Sequence, residues 1–250
     1  YRPFGFRFIY EKNKMTVTAD VLRRAETDEK WQIHSDQEVS GDIFCEEAKK
    51  EDLAELACFA EKQLSKLAEV YTVHDIAYFE QRMQEVECEG GSLILIRKEK
   101  EICGYFLALK KDREAWEIVV EDAVQKKAFP AVLHWFGESK EKCTFTAFPQ
   151  IWEQYAQSEN VPAIMGRIVH LERFVCCLKI KKEQEWKIRL TDSLIPENNG
   201  YFIIKTGIEG GSLIRVENLS EKEKKMFCSM DIGQLTEELF RLPVFLNEVV

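Results

Sequence analysis

Two amphipathic helix patterns, placed one directly after the other, are the feature that most limits how this chain can fold. Apolar residues from Leu53 to Tyr71 recur every three or four positions, which puts them on one face of a helix. The same spacing from Ile76 to Val86 predicts a second helix. Each helix has an apolar stripe that must be buried, so the segment that follows has to supply a partner surface.

Local signals mark the ends of the second helix. Thr72 and Asp75 have the spacing of a capping box, with Asp in place of the usual Glu, which predicts a helix start there. The sequence "EGG" at 89–91 predicts its end, because glycine readily adopts the left-handed conformation that closes helices.

The partner surface is predicted to be a sheet. Runs rich in β-branched and aromatic residues at 92–98, 101–111 and 115–124 predict three strands. A helix pattern follows at 129–139, and one more strand pattern at 142–148. The order of helix, helix, three strands, helix and strand indicates an α+β fold with a mixed sheet and flanking helices. It does not have the strict alternation of a doubly wound fold.

The regions on either side are predicted to be a hairpin and a second α+β unit. Apolar residues flank the polar segment "EKNK", so 7–19 is predicted to form a hairpin. The polar, proline-containing segment 157–166 indicates a boundary. Ser220 and Glu223 form a capping box ahead of a short helix. Strands are predicted at 185–192, 200–207 and 212–218, and a last helix in "DIGQLTEELFRL".

The charge excludes some classes of partner. The 250 residues carry a formal net charge of -9, whereas general nucleic-acid binders and proteins of anionic membrane surfaces present a basic face. No stretch of about 18 apolar residues is present, so no membrane span is predicted.

The thiols and imidazoles do not suggest a metal site. The eight cysteines include no C-x-x-C pair, and several lie in apolar runs, which predicts buried, reduced thiols in a cytoplasmic protein. The four histidines have no second His or Cys at metal-ligand spacing, so no metal site is predicted.

The strand at 115–124 leads into a segment that has the position of a phosphate-binding loop but not the residues of one. Q/R-x-x-G-x-G/A loops bind the pyrophosphate of acetyl-CoA through consecutive backbone N–H groups and a helix N-terminus. Here the segment is Gln125-Lys126-Lys127-Ala128-Phe129-Pro130. Ala replaces the first glycine, Phe adds bulk, and Pro has no N–H to donate. We therefore expect this segment not to hold coenzyme A in the usual manner.

Five segments in a fixed order give the chain a resemblance to a known family. They are "YRPFGF", "CEEAKKEDLAELACFAE", "MGRIVHLERF", "TDSLIPENNGYF" and "FLNEVV". Together they resemble the enhanced intracellular survival (Eis) family of GNAT acetyltransferases. That family has two GNAT domains, the second of them degenerate, followed by a domain similar to sterol carrier proteins.

The resemblance implies a reaction and two catalytic groups. It implies transfer of acetyl from acetyl-CoA to primary amines, such as aminoglycosides or lysine side chains. By position, Tyr1 would be the general acid that protonates the leaving thiolate. The carboxylate of Val250 would be the general base, in a pocket whose apolar surroundings raise its pKa. Without the resemblance, Tyr1 is read as a packing aromatic and Val250 as a frayed terminus.

The resemblance also implies an organisation for the chain. Residues 1–40 would end the catalytic GNAT domain, 41–160 would form the degenerate second domain, and 161–250 the sterol-carrier-like domain. We expect the cofactor loop to precede Tyr1, so that this chain alone is inactive, and we expect a homo-oligomer, by family a hexamer. The alternative is a non-catalytic module in which strands such as "GYFIIKTG" line a site for an apolar ligand.

Overall fold

A computed structural model describes most of the chain, in two compact units. The described residues are 1–18, 21, 42–68, 70–137, 142–147, 152, 157–178, 180, 183–241 and 244–245. The large-sheet unit comprises Glu11–Leu67 and Tyr71–Pro162. The small-sheet unit comprises Tyr1–Tyr10, Ala68–Val70 and Ala163–Leu246.

Seven strands form a large mixed sheet: β1 (Arg7–Val17), β2 (Ile43–Glu47), β4 (Ser92–Lys98), β5 (Glu101–Leu109), β6 (Glu114–Val120), β7 (Cys143–Ala147) and β8 (Gln157–Gly166). The short strand β3 (Val70–Tyr71) lies outside this sheet. The strand order is β2-β4-β5-β6-β7-β1-β8. Strands β6 and β7 pair in parallel, whereas the β2–β4, β4–β5, β5–β6 and β7–β1 pairs are antiparallel. The predicted α+β class with a mixed sheet is confirmed.

The helices of the large-sheet unit are α1 (Leu53–Leu67), α2 (Ile76–Cys88) and α3 (Gln125–Trp135). The apolar stripe predicted for α1 is buried, as is the side of α2 that carries Phe79 and Val86. The predicted start of α2 is wrong by one turn. Asp75 itself is the N-cap, and its carboxylate accepts a hydrogen bond from the Tyr78 N–H at 2.8 Å.

The predicted hairpin at 7–19 is wrong, because Arg7–Val17 is one continuous strand. Burial alternates through the polar segment, with Asn13, Met15 and Val17 buried. None of the residues of "EKNK" has a positive φ, so nothing turns the chain there. Alternation in burial, and not polarity, decides the conformation of this segment.

The small-sheet unit contains a four-stranded sheet of order β11-β10-β9-β12. Its strands and helices are α4 (Leu171–Cys177), β9 (Gln184–Thr191), β10 (Gly200–Gly207), β11 (Gly210–Val216), α5 (Glu221–Lys224), β12 (Cys228–Asp231) and α6 (Ile232–Leu239). Strands β3 (Val70–Tyr71) and β13 (Val244–Phe245) form a separate two-stranded sheet. The capping box of Ser220 and Glu223 is confirmed at the start of α5.

The core of this unit lies between the sheet and helices α4 and α6. Phe202 and Ile204 of β10 pack there with Val175 of α4 and Leu235 of α6. The boundary predicted at 157–166 coincides with the division between the two units, which falls between Pro162 and Ala163, and the same residues form strand β8 at the edge of the large sheet. An edge position tolerates Pro162, which has no N–H for a ladder bond.

Candidate functional site

Tyr1 lies at the start of a short 3₁₀ turn. The N–H of Phe4 donates to the Tyr1 carbonyl at 2.9 Å, and the N–H of Gly5 donates to the Arg2 carbonyl at 3.1 Å. Gly5 closes the turn with a φ of 81°, a left-handed conformation in which a Cβ would be strained. The Tyr1 side chain is 83% exposed, and its ring contacts that of Phe6 at 5.8 Å. The turn therefore presents the Tyr1 phenol outward on a defined backbone.

The second predicted catalytic group, Val250, lies outside the described residues. The predicted meeting of Tyr1 with the Val250 carboxylate therefore stays a prediction.

A buried carboxylate, Asp192, organises the segment "TDSLIPENN". Its oxygens accept hydrogen bonds from the N–H groups of Leu194 and Ile195 at 3.0 and 3.1 Å, and from Asn198 Nδ2 at 2.9 Å. Arg167 Nη2 completes the set, at 2.6 and 2.7 Å from the two oxygens. Burial alone would raise the pKa of Asp192, but these donors together hold it below its ordinary value. The carboxylate is thus a fixed anion joining two of the segments singled out in the sequence.

The segment 125–130 does not fit a pyrophosphate. It is not a loop, because α3 begins at Gln125 and contains Pro130. The helix predicted from 129 therefore starts earlier than expected. Ala128 and Phe129 are fully buried, so their side chains are part of the core beneath the place where a phosphate would lie. Pro130 contributes no donor.

Trp152 fills the space at the carboxyl ends of the parallel strands β6 and β7, which is where ligands bind in open sheets. Its side chain is fully buried, with ring centroids 5.1 Å from Phe129 and 6.0 Å from Phe145. Its indole N–H donates to the Gln125 carbonyl at 3.0 Å. Aromatic rings thus occupy the space at the β6-to-α3 connection, and the residues present do not fit acetyl-CoA.

We expect the 250-residue chain to bind no acetyl-CoA in isothermal titration calorimetry. The reason is that the buried rings of Phe129 and Trp152 occupy the space at the start of α3, and that Pro130 has no N–H to donate to a phosphate. Binding of ordinary micromolar strength would contradict this expectation.

A buried ion pair that the sequence did not reveal joins β6 to α2. Glu117 has a φ of 52° at an irregularity in the β6 ladder, and its side chain is only 9% exposed. Its carboxylate accepts a hydrogen bond from Tyr78 Oη at 2.6 Å and forms an ion pair with Arg82, which also pairs with Glu85. Burial raises the pKa of Glu117, while Arg82 and Tyr78 act to lower it.

His74 extends this network towards β5. Its ring stacks on Tyr78 with centroids 4.0 Å apart, and its Nδ1 lies 2.7 Å from Tyr105 Oη. Burial, followed by the charge of Arg82, lowers the pKa of His74 to about 3. The imidazole is therefore neutral at physiological pH.

Strained backbone with buried ionisable groups is common at functional sites. Here, however, both donors facing Glu117 are supplied by α2, so its carboxylate is engaged in holding that helix to the sheet. The sequence carried one signal for it, a single Glu inside the apolar run "AWEIVV".

Other candidate chemistry is limited within the described ranges. These contain no group of three His, Cys, Asp or Glu side chains placed to hold a metal ion. The eight cysteines are free thiols, but the expectation that they are buried is wrong for five of them, because these lie on solvent-facing helix positions and strand ends. The exposed ones are Cys58, Cys88, Cys176, Cys177 and Cys228. Among the described helices, none combines the length and apolarity needed to cross a membrane.

Comparison with known proteins shows similarity in structure but not in sequence. No model of a known family matches the sequence, and no curated protein matches it. A GCN5-related N-acetyltransferase from Kribbella flavida superposes with a TM-score of 0.59 over 88% of this chain, at 13% identity. One from Anabaena variabilis gives 0.60 over 96% of the chain, also at 13% identity. A protein of Enterococcus faecalis described as a probable N-acyltransferase gives 0.61 over 95%, at 16% identity.

The chain spans between 54% and 60% of the length of these three structures. At such low identity the similarity is evidence of fold alone. The chain therefore has the GNAT-like fold that these solved N-acyltransferase structures share.

Proposed function

We propose that the protein to which these 250 residues belong is an N-acetyltransferase that transfers acetyl from acetyl-CoA to primary amines. The observation that carries the proposal is the fold shared over 88–96% of the chain with the N-acyltransferase structures named above. A fold hosts many functions, so the reaction must be argued from particular groups. The group in the described residues that supports it is Tyr1.

In the proposed reaction the nitrogen of a primary amine attacks the thioester carbonyl, an N–C bond forms and the C–S bond breaks. The amine is mostly protonated at neutral pH, so a base must first accept a proton, and the nitrogen releases a second proton to solvent as the amide forms. We assign the role of base to the carboxylate of Val250. The departing thiolate needs a proton in return, and a phenol with an ordinary pKa near 10 is a suitable donor. We assign it to Tyr1, whose exposed side chain on a fixed turn supports the role.

The segment 125–130 has no part in this proposal, because its buried residues leave no place for a pyrophosphate. In the organisation implied by the Eis family, 41–160 is the degenerate second GNAT domain. Acetyl-CoA would then bind to a first domain, of which 1–40 is the end, and 161–250 would be the sterol-carrier-like domain. We further propose aminoglycosides or lysine side chains as the amines, a cytoplasmic location and a homo-oligomer, by family a hexamer.

Replacing Tyr1 by phenylalanine in the complete protein is expected to lower kcat by about 10²–10⁴-fold, the usual contribution of a positioned general acid. The rate is measured as thiol release from acetyl-CoA with an aminoglycoside as acceptor. The ring contact with Phe6 survives the substitution, so the fold should be unaffected.

Tyr71→Phe is the matched control, because its hydroxyl donates to Glu61 in the large-sheet unit and has no proposed role. It should retain the parental rate. An unchanged rate in Tyr1→Phe, or no thiol release by the parent with any primary amine, would remove the basis of the proposal.

The structure does not favour the alternative of an apolar-ligand module. Phe202 and Ile204, in the strand suggested to line a cavity, are buried in the core of the small-sheet unit. We therefore interpret the apolar content of "GYFIIKTG" as core.

A further inference from the structure

The backbone turn that carries Tyr1 is held by two arginine side chains. Arg167 Nη1 donates to the Phe4 carbonyl. Arg7 Nη1 donates to the carbonyls of Arg2 and Phe6 at 3.2 and 2.9 Å. The last carbonyls of a short helix lack partners within it, so a donor from outside such as Arg167 helps to hold the turn in one conformation. The Arg2 carbonyl also accepts a hydrogen bond from the Gly5 N–H within the turn.

Arg167 is itself fixed by Asp192. The side chains of this pair are 5% and 0% exposed, and Nη2 lies within hydrogen-bonding distance of both carboxylate oxygens. The planar guanidinium carries several donors in fixed directions, so it can bind a carboxylate and still reach a backbone carbonyl. Asp192 is held in turn by the N–H groups of its own loop.

The packing around the turn is close. A Cβ added at Gly5 would lie 2.9 Å from Ile232 Cγ2 and 3.3 Å from Arg167 Nη1. Arg7, the second arginine, lies 3.7 Å from Asp231 and 3.8 Å from Glu237, at the start and within α6. All of these groups belong to the small-sheet unit, so this unit determines where the turn lies.

We propose that Arg167, held by Asp192 and assisted by Arg7, is a positioning residue that sets the place and direction of the Tyr1 phenol for proton donation. The inference rests on the proposed catalytic role of Tyr1 and adds a dependence of that role on the small-sheet unit. The inference links three sequence segments through direct contacts. The segment "YRPFGF" forms the turn, "MGRIVHLERF" supplies the arginine that holds it, and "TDSLIPENNGYF" supplies the carboxylate that orients the arginine.

A purely structural pair would give a different result on mutation. Loss of a structural pair lowers stability and reduces the amount of folded enzyme, with little effect on the turnover of what remains folded. Loss of a positioning pair lowers kcat of folded enzyme and leaves KM for the amine and for acetyl-CoA nearly unchanged, since the proposed role of Arg167 and Asp192 is exerted on the turn and not on a substrate. A displacement of about 1 Å at a reacting group costs on the order of 10²-fold in rate.

The test uses Asp192→Asn, Arg167→Lys and Arg7→Met in the complete protein. Arg7 is partly exposed, at 23%, so its variant is expected to fold even if a buried variant does not. The matched control is Arg97→Lys, because Arg97 is a similarly buried arginine, 2.7 Å from Asp52, in the other unit. Three quantities are measured: kcat of folded enzyme, its KM, and the amide hydrogen exchange of the peptide covering residues 1–6.

We expect exchange of this peptide to become about tenfold faster in the three variants, because a weakened anchor raises the population of the open turn. We also expect kcat to fall by about 10²-fold in Asp192→Asn and Arg167→Lys, and by less in Arg7→Met. Arg97→Lys should change neither quantity.

Unchanged exchange in the variants would show that the arginines do not hold the turn, and would overturn the inference. Faster exchange with unchanged kcat would overturn it as well, provided that Tyr1→Phe is inactive. If Tyr1→Phe is as active as the parent, it is the proposed function that fails, and the two failures are thereby distinguished.

Discussion

Replacing Glu117 by alanine is expected to lower the free energy of unfolding by about 3–5 kcal/mol, the usual effect of removing one partner of a buried ion pair. Arg82, whose side chain is 13% exposed, keeps its pair with Glu85 but loses the one with Glu117. Tyr78 loses the acceptor of its hydroxyl in the same step. The cost arises because a buried cation and a buried donor then lack the partner that compensated for their loss of water.

The prediction is measured by urea unfolding followed by circular dichroism. The double variant Arg82→Met/Glu117→Ala should recover part of the loss, because it removes the uncompensated charge together with its partner. An exposed pair serves as the control: Glu221→Ala, which removes the partner of Lys224, should leave the midpoint unchanged. A double variant that is less stable than the Glu117→Ala single variant would contradict this account of the pair.

Replacing Trp152 by alanine is expected to cost about 3–5 kcal/mol, the range found for truncation of large buried aromatics. The indole is fully buried against Phe129 and Phe145, so the substitution removes apolar contacts and leaves a cavity. The Gln125 carbonyl also loses the indole N–H that donates to it. Both effects act at the connection between β6 and α3.

Trp152→Phe separates the two contributions, because it keeps an aromatic ring but cannot donate to Gln125. We expect it to lose about 1–2 kcal/mol, the cost of a smaller ring and a missing hydrogen bond. Unfolding in urea, with the midpoint and the slope both determined, is again the measurement. If alanine at 152 is as stable as tryptophan, then the indole does not fill the core as the structure describes.

Periodicity in the sequence was sufficient to predict most of the elements. The helices at 53–67 and 76–88, and strands β4 to β7 and β9 to β11, follow patterns in which each apolar residue lies one turn or one pleat from the next. Strands β8, β12 and β13 were not predicted. The capping box at Ser220 is equally local, since its partners are three residues apart. Such features depend only on residues that are close in the chain, so the sequence alone is sufficient to predict them.

The errors occurred where local composition and long-range pairing disagree. The segment "EKNK" has the polarity of a turn, yet it forms the middle of β1 because β7 offers a ladder to Asn13 and its neighbours. Strand β8 was missed for a similar reason: the polar segment 157–166 does contain the division between the two units, but β1 also provides an edge on which it pairs. Strand partners are distant in sequence, and nothing in either segment specifies them.

The sequence by itself determined the α+β class with a mixed sheet and the positions of its most periodic helices and strands. Those properties follow from hydrophobic periodicity. Only the tertiary structure decided that Glu117 pairs with Arg82, that Trp152 fills the end of the parallel strands, and that Arg167 holds the Tyr1 turn. The last contact joins residues 163 positions apart. A hydrogen bond over that separation depends on how sheets and helices pack, and packing is a property of the folded chain as a whole.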